Sequence, residues 1–394
     1  MDKSIEIEKK YGSGLYSLKP FQIERGEGVY LYTDDGERYL DFMSGHGVAC
    51  LGHSHPNLVN ALNKQAKKII TLHSSYSTEI RAKFMELMSE ITPKNLTKTF
   101  MVNSGTEAVE CALKLALANN RKIKRPNIIA MKRSFHGRTL GSLGLTFNPK
   151  YKQAFKNALY PQIKFARFNQ IDSVRELCNE NTVAVITELV QGEGGVYPAT
   201  LDFAQELREL CSEKEILFIA DEVQTGMGRC GKMFACQHYN IVPDILCTAK
   251  GTGGGFPMGT VVSSPEIWYN LKKGEHASTF GGNPLAAAAG VATIRTLLDD
   301  KLPENAGKMG KMIIDDLSKL NSEMIREIRG LGLLIGLQLR SRAGSYLRYC
   351  AMKEKTLFLP AGLSVLRMLP PLIINSDHAN IAIQAIKNAL QRVK

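Results

Sequence analysis

The chain is predicted to be an α/β protein with a mostly parallel central sheet, joined to a smaller α+β domain built from both chain ends. Two observations carry this prediction. First, five short apolar runs recur through the middle of the chain: Thr99 to Val102, Asn127 to Met131, Val183 to Thr187, Ile216 to Ala220 and Ile245 to Cys247. They alternate with segments of helical periodicity, and runs apolar on both faces describe strands buried between helical layers. Second, both ends of the chain depart from that alternation.

The five runs and their helices place a large domain at residues 51–290. Residues 21–42 read instead as a small antiparallel unit, with Asp34-Asp35-Gly36 as its turn. After about residue 290 the pattern becomes helix, strand, helix, strand. Residues 1–50 and 291–394 are therefore assigned together to the smaller domain. A chain of 394 residues is long enough for two such units.

Hydrophobic residues make up 44% and charged residues 22%, which is ordinary for a globular protein. The charged N-terminus argues against a secretory signal, and the most apolar runs are too short to span a bilayer. A cytoplasmic protein without a membrane partner is expected. The eight cysteines include no CxxC pair, so they read as thiols rather than as a zinc framework. The formal charge of +12 is the one unusual bulk property. No compact basic tract with interleaved aromatics accompanies it, which argues against nucleic acid and leaves an acidic macromolecular substrate open.

In an open α/β sheet, ligands gather beyond the carboxyl ends of the strands. Ser104-Gly105-Thr106 follows the first run and opens a helix, where free N–H groups favour a phosphate, although taken alone an ordinary helix cap is the better explanation because such caps are common. Phe135, Gly137 and Arg138 follow the second run and combine an aromatic face, a small residue and a guanidinium, which suit a stacked ring and a bound carboxylate, although in isolation an ordinary surface loop explains them at least as well. Asp221 closes an apolar run, where a carboxylate needs a cation or donor; a protonated pyridine nitrogen is one such partner, and a capping role is the other reading. Lys250 lies between a buried strand and Gly253-Gly254-Gly255, placed to meet an aldehyde cofactor and to carry a proton. Neither a dinucleotide GxGxxG site nor a Walker loop is present. His53 and His55 read as structural, and no metal site is expected.

These blocks, in this order, resemble the class III branch of the fold-type I pyridoxal-phosphate (PLP) aminotransferases along nearly the whole chain. The resemblance rests on Gly52-His53-Ser54-His55-Pro56, Ser104 to Ala108, Phe135 to Thr139, Gln191 to Gly195, Asp221 to Gly226, Lys250, Ser278 to Pro284 and Arg367 to Leu372. It implies that Gly105 and Thr106 hold the cofactor phosphate with Ser104 beside them, and that Thr279 reaches the phosphate of a neighbouring subunit in a homodimer. It also implies that Phe135 stacks on the pyridine ring, Asp221 pairs with its nitrogen, Gln224 bonds its hydroxyl and Lys250 forms the Schiff base. His136 receives no catalytic role.

For substrates, the resemblance implies glutamate and 2-oxoglutarate on one side and an ω-amino compound on the other. Glu193 pairs with Arg367 for the ω-amine and releases it for glutamate, while Arg138 binds the far carboxylate. Ser44 to Ala49, Gly141 to Thr146 and Pro149-Lys150-Tyr151 are similar to members of lysine and arginine biosynthesis that act on substrates linked to an acidic amino-group carrier protein, LysW. The expected acceptor is accordingly a LysW-linked lysine or ornithine semialdehyde, with free N-acetylornithine, ornithine or another ω-amino acid as alternatives. A racemase or decarboxylase of this fold has no need of the Glu193–Arg367 pair. Gly251-Thr252 and Glu275-His276-Ala277 depart from the sequences common among relatives, and neither departure removes a catalytic group.

Overall fold

A computed structural model describes residues 3–393. Near the N-terminus, β1 (Ile23–Glu27), β2 (Tyr30–Thr33) and β3 (Arg38–Asp41) form the expected antiparallel meander. The central sheet contains β4 (Lys98–Val102), β5 (Asn127–Met131), β6 (Ile163–Ala166) and β7 (Thr182–Thr187). A two-residue pair, β8 (Val190–Gln191) and β9 (Tyr197–Pro198), interrupts the series, which resumes with β10 (Leu217–Asp221), β11 (Ile245–Thr248) and β12 (Gly259–Ser263). The spatial order is β4-β12-β11-β10-β7-β5-β6. Every residue of β5, β7, β11 and β12 is buried, as strands covered on both faces must be.

The sheet is parallel except for β12, which runs antiparallel to both β11 and β4. The sequence reading contained neither β12 nor β6. The first is masked by glycine, threonine and serine, and the second is a four-residue edge strand with a lysine. Ten residues separate β11 from β12, and they form only a tight helical turn. A parallel crossover needs a dozen or more, usually with a helix, so the chain turns back and pairs antiparallel.

Residues 284–299 form an alanine-rich helix that packs on the helices at 56–66 and 79–91. Its Gly290 lets Phe84 approach closely, since a Cβ there would lie 2.4 Å from the ring. Beyond it, β13 (Ile325–Leu331), β14 (Leu334–Leu339), β15 (Thr356–Leu357), β16 (Leu359–Ala361) and β17 (Val365–Met368) complete the strands. Four of them form an antiparallel sheet ordered β13-β14-β17-β16. The fifth, β15, pairs in parallel with β3, so the two chain ends share a sheet. That pairing supports the division we propose, residues 1–50 with 291–394 against 51–290; the boundary at 290/291 falls within the helix Pro284–Asp299. Among the described residues, no helix is long and apolar enough to cross a membrane.

Seven of the eight cysteines are buried and none is paired. Burial pushes the Cys50 thiol up to about 11 and the Cys111 and Cys211 thiols to about 12, so they pack as small apolar groups.

Gly310 lies in the helix Leu302–Ser318 against the β13–β14 turn, where a Cβ would stand 2.0 Å from the Gly332 carbonyl oxygen. Helix propensity alone favours Gly310→Ala by about 1 kcal/mol. The clash is with backbone, which cannot swing aside, and overpacking of that kind costs about 1–3 kcal/mol. The substitution should therefore lower stability, read as an earlier midpoint in chemical denaturation.

Candidate active site

The carboxyl ends of β4, β5, β10 and β11 open onto one cavity of about 460 Å³. Ser104, Gly105, Thr106, Phe135, Arg138, Glu193, Asp221, Gln224 and Lys250 all line it, so residues spread over 147 positions of chain meet there. Arg367 reaches the same place from β17 through its contacts with Gln224 and Glu193. Thr279 does not line it; it is exposed on the loop before Asn283.

Each wall has a local cause. Ser104 is the N-cap of the helix Gly105–Asn119, and its Oγ accepts from Glu107 N at 3.3 Å. The helix therefore aims first-turn N–H groups of Gly105 and Thr106, which have no intrahelical acceptor, into the cavity. Gly105 is held close to Val223, where a Cβ would stand 2.8 Å from the side chain. Gly137 has φ +137°, and a Cβ on it would lie 2.3 Å from Thr106 Oγ1. Glycine is thus required where the Phe135–Arg138 loop crosses the helix start. The Arg138 guanidinium stands over the Tyr151 ring at 3.9 Å and over Phe135 at 5.4 Å, which fixes a flexible side chain at the cavity rim.

Asp221 ends β10 and is buried. Its Oδ1 accepts from Val223 N at 3.1 Å, and its Oδ2 lies 2.7 Å from His136 Nδ1. The second contact makes His136 a positioning residue for Asp221, a role the sequence reading did not give it. Eighty-five residues separate the two, and no local pattern announces the pairing. Glu188 was also missed. It is buried, and its carboxylate accepts from Phe135 N at 2.9 Å and from Gly192 N at 3.0 Å, tying two cavity loops together. Burial pushes this carboxyl up to about 7, against the pull of His136 and with Asp221 adding to the rise.

Lys250 follows β11 by two residues and takes φ +42°, a left-handed conformation that costs about 1–3 kcal/mol for a residue with a side chain. The turn behind it is braced by the buried Thr252, whose hydroxyl donates to Ala249 O at 2.8 Å and contacts Thr248 Oγ1 at 2.9 Å. Gly254 adopts φ +61° against the Pro284–Asp299 helix, where a Cβ would meet Thr293 Oγ1 at 2.6 Å. Burial pushes the Lys250 amine down; Glu193 and Asp221 oppose that shift and Arg367 adds to it.

Arg367 is completely buried. Its Nη1 donates to Gln224 Oε1 at 3.2 Å, and its Nη2 lies 2.6 Å from Glu193 Oε1. The second contact lacks hydrogen-bond alignment, and Nε has no partner. Burial is the largest influence on Glu193 and pushes it up, but Arg367, Lys250 and His46 together outweigh it and hold the carboxyl below its ordinary value. Nearby, burial and the Arg367 charge push the His46 imidazole down, against Glu193.

His53, read as structural, places Nε2 2.7 Å from the buried Asp41 Oδ2, while Asp41 Oδ1 accepts from Met43 N and Ser44 N. Among the described residues, no group of three histidine, cysteine or acidic side chains could hold a metal.

The donor set suits a phosphorylated, aromatic aldehyde. N–H groups and hydroxyls stand at a helix start, an aromatic face and Val223 line the cavity, a buried carboxylate stands at its floor, and an amine of lowered basicity shares it. A family model described as aminotransferase class III matches residues 15–390. The chain is 40% identical over 392 residues to a [LysW]-aminoadipate semialdehyde transaminase from Deinococcus radiodurans, covering 99% of this chain and 91% of the relative. It is equally identical over 394 residues to an acetylornithine aminotransferase from Clostridium acetobutylicum, covering 98% and 100%. Among solved structures, the ornithine aminotransferase from Toxoplasma gondii, with partial occupancy of PLP at its active site, superposes with a TM-score of 0.94 at 28% identity, covering 99% and 94%.

Glu188 carries a pH prediction. Its carboxyl titrates near 7 in the folded chain against 4.5 as the ordinary value, so the folded state holds a proton that the unfolded state has lost between those values. Stability from this group is full below about pH 4.5 and is lost as pH rises through about 7, a change on the order of 3 kcal/mol. Denaturation midpoints across that range should slope downward, and Glu188→Gln should flatten the slope.

Proposed function

The chain belongs to the class III aminotransferases, which are PLP enzymes, and from that premise we propose that it moves an amino group between glutamate and the ω-semialdehyde of an ornithine or lysine whose α-amino group is blocked by linkage to an acidic carrier protein. The observation that carries this reading is the Arg367–Glu193 ion pair inside the cavity. An enzyme that alternates between a charged and a neutral substrate end needs a cation that can be both offered and withdrawn.

When bound, PLP supplies an aldehyde that condenses with amines and a ring that draws electrons from the substrate carbon. In our reading Gly105 and Thr106 hold its phosphate with Ser104 beside them, Phe135 covers the ring face, Asp221 holds the ring nitrogen and Gln224 the ring hydroxyl. Thr279 serves the phosphate of a neighbouring subunit, which makes the working unit a homodimer. Lys250 is the covalent partner, and its amine afterwards moves the proton at the substrate carbon; lowered basicity favours the free base that task requires.

Arg138 holds the carboxylate farther from the reacting carbon in both half-reactions. Glutamate brings a second carboxylate next to that carbon and draws Arg367 away from Glu193. The missing hydrogen-bond alignment in the pair and the unpartnered Nε both suit a guanidinium that changes partners. For the ω-amine, which has no charge there, Glu193 keeps the cation neutralised. The activity named for the Deinococcus radiodurans relative favours the carrier-linked acceptor, and that named for the Clostridium acetobutylicum relative favours free N-acetylornithine. A substrate panel run with and without the aminoacylated carrier separates them: no preference for the carrier-linked substrate overturns the first reading.

Two variants test the roles. Lys250→Ala should abolish turnover and the visible absorbance of the bound cofactor; retained steady-state activity would remove the amine from the mechanism. Glu193→Gln keeps the side-chain shape but cannot neutralise Arg367. It should lower kcat/KM for the ω-amino substrate by roughly 10–100-fold, as loss of a charged contact does. Single-turnover conversion of the cofactor by glutamate should change much less.

A further inference from the structure

The positive charge of this chain is not spread over it. Between residues 111 and 171 there are thirteen lysines and arginines and no aspartate or glutamate. The other 333 residues hold 37 basic and 38 acidic side chains, so this one stretch accounts for the whole excess. Among the described residues only Arg121 of the thirteen is in an ion pair, with Glu275.

Where the fold puts the stretch is informative. It contributes β5 and β6 at one end of the sheet; Lys114, Arg121, Lys122, Lys124 and Arg125 precede β5 at its amino end, while six of the cations lie on the chain that leaves β5 on the cavity side. Lys132, Arg133 and Arg138 lie on that exit, all exposed. The segment carrying Lys150, Lys152 and Lys156 folds back beside them. Phe147 N donates to Ser134 O at 3.0 Å, and Arg138 lies over the Tyr151 ring. Arg133 abuts the loop of Glu193, its carbonyl standing 2.5 Å from where a Gly194 Cβ would lie, and its guanidinium is over the Tyr197 ring at 4.7 Å. Unpaired cations therefore run from one lip of the cavity to the other, with the exposed Phe155 among them. Unpaired like charges repel, and nothing in the local packing of Lys150 or Lys156 offsets that.

We propose that this rim is the docking surface for an acidic polypeptide that carries the amino substrate, with Lys132, Arg133, Lys150 and Lys156 meeting its carboxylates while its modified end enters past Arg138. The proposal rests on the carrier-linked reading above and adds the face that recognises the carrier. A protein partner is favoured over nucleic acid because the cations surround the opening through which an aminoalkyl end must pass, and an acidic chain can present one there. Charge complementarity at such a rim acts mainly on association rate and on its sensitivity to salt.

The test uses the PLP-loaded enzyme and a glutamate-rich peptide, made with and without a γ-linked ornithine at its end. A double variant, Lys150→Glu with Lys156→Glu, alters the rim without touching the cavity lining. It should weaken binding of the bare peptide in fluorescence anisotropy by roughly tenfold or more at low salt. It should lower kcat/KM for the ornithine-bearing peptide to a similar extent, and leave kcat/KM for a small ω-amino substrate and the glutamate half-reaction unchanged. Salt should erase the difference between wild type and variant. Equal binding of the bare peptide by both proteins overturns the docking surface, as does tighter binding of a single-stranded RNA of equal charge. Weakened peptide binding with no turnover of the linked ornithine supports the docking surface and overturns the substrate reading instead.

Discussion

A completely buried guanidinium, that of Arg367, is the constraint on which the rest of the site depends. A charge removed from water costs several kcal/mol unless other groups meet it. The groups that meet Arg367 come from elsewhere: Gln224 from the turn after β10 and Glu193 from the loop between β8 and β9. The C-terminal sheet supplies the cation, and the loops that follow β8 and β10 supply the groups that meet it. Its charge also pulls the Glu193 carboxyl down and helps hold down the basicity of Lys250 and His46. One side chain thus joins two parts of the molecule and sets the electrostatics of the cavity between them.

Two buried carboxylates of the same cavity are likewise met by partners. Asp221 is met by His136 and by the N–H of Val223, and Glu188 by two backbone N–H groups. Glu188 ties the loop of Phe135 to the loop that leads into Glu193. A ring-covering side chain and a charge-switching side chain are consequently held by one carboxylate. The glycines at 105 and 137 complete the arrangement by allowing backbone contact where any side chain would clash.

Outside the cavity, charge is distributed with equal consequence. The carboxyl ends of parallel strands form one side of the sheet, and six of the thirteen cations of residues 111–171 lie on the chain that leaves β5 there. Within the site Arg367 is met by Glu193 and Asp221 by His136, whereas Lys132, Arg133, Lys150 and Lys156 on the rim are in no ion pair among the described residues. That contrast separates groups that act on a small reacting end from groups available to a large acidic body.

Much of this was legible in the amino-acid order. The five apolar runs appear as strands within about one residue of where their composition placed them, because a strand covered on both faces has little choice of residue type. Ser104 to Thr106, Phe135, Arg138, Asp221 and Lys250 stood out because each follows such a strand, and the family resemblance supplied Glu193, Gln224, Arg367 and Thr279. Tertiary structure alone decided the antiparallel insertion of β12, since its residues carry no direction and only the short link from β11 imposes one. It alone decided the pairing of His136 with Asp221 and the clasp made by Glu188, which join residues 85 and 53 positions apart. Local sequence determines which segments must be buried and what chemistry they carry. Which buried charges meet depends on how the strands are ordered side by side, and that is a property of the packed sheet.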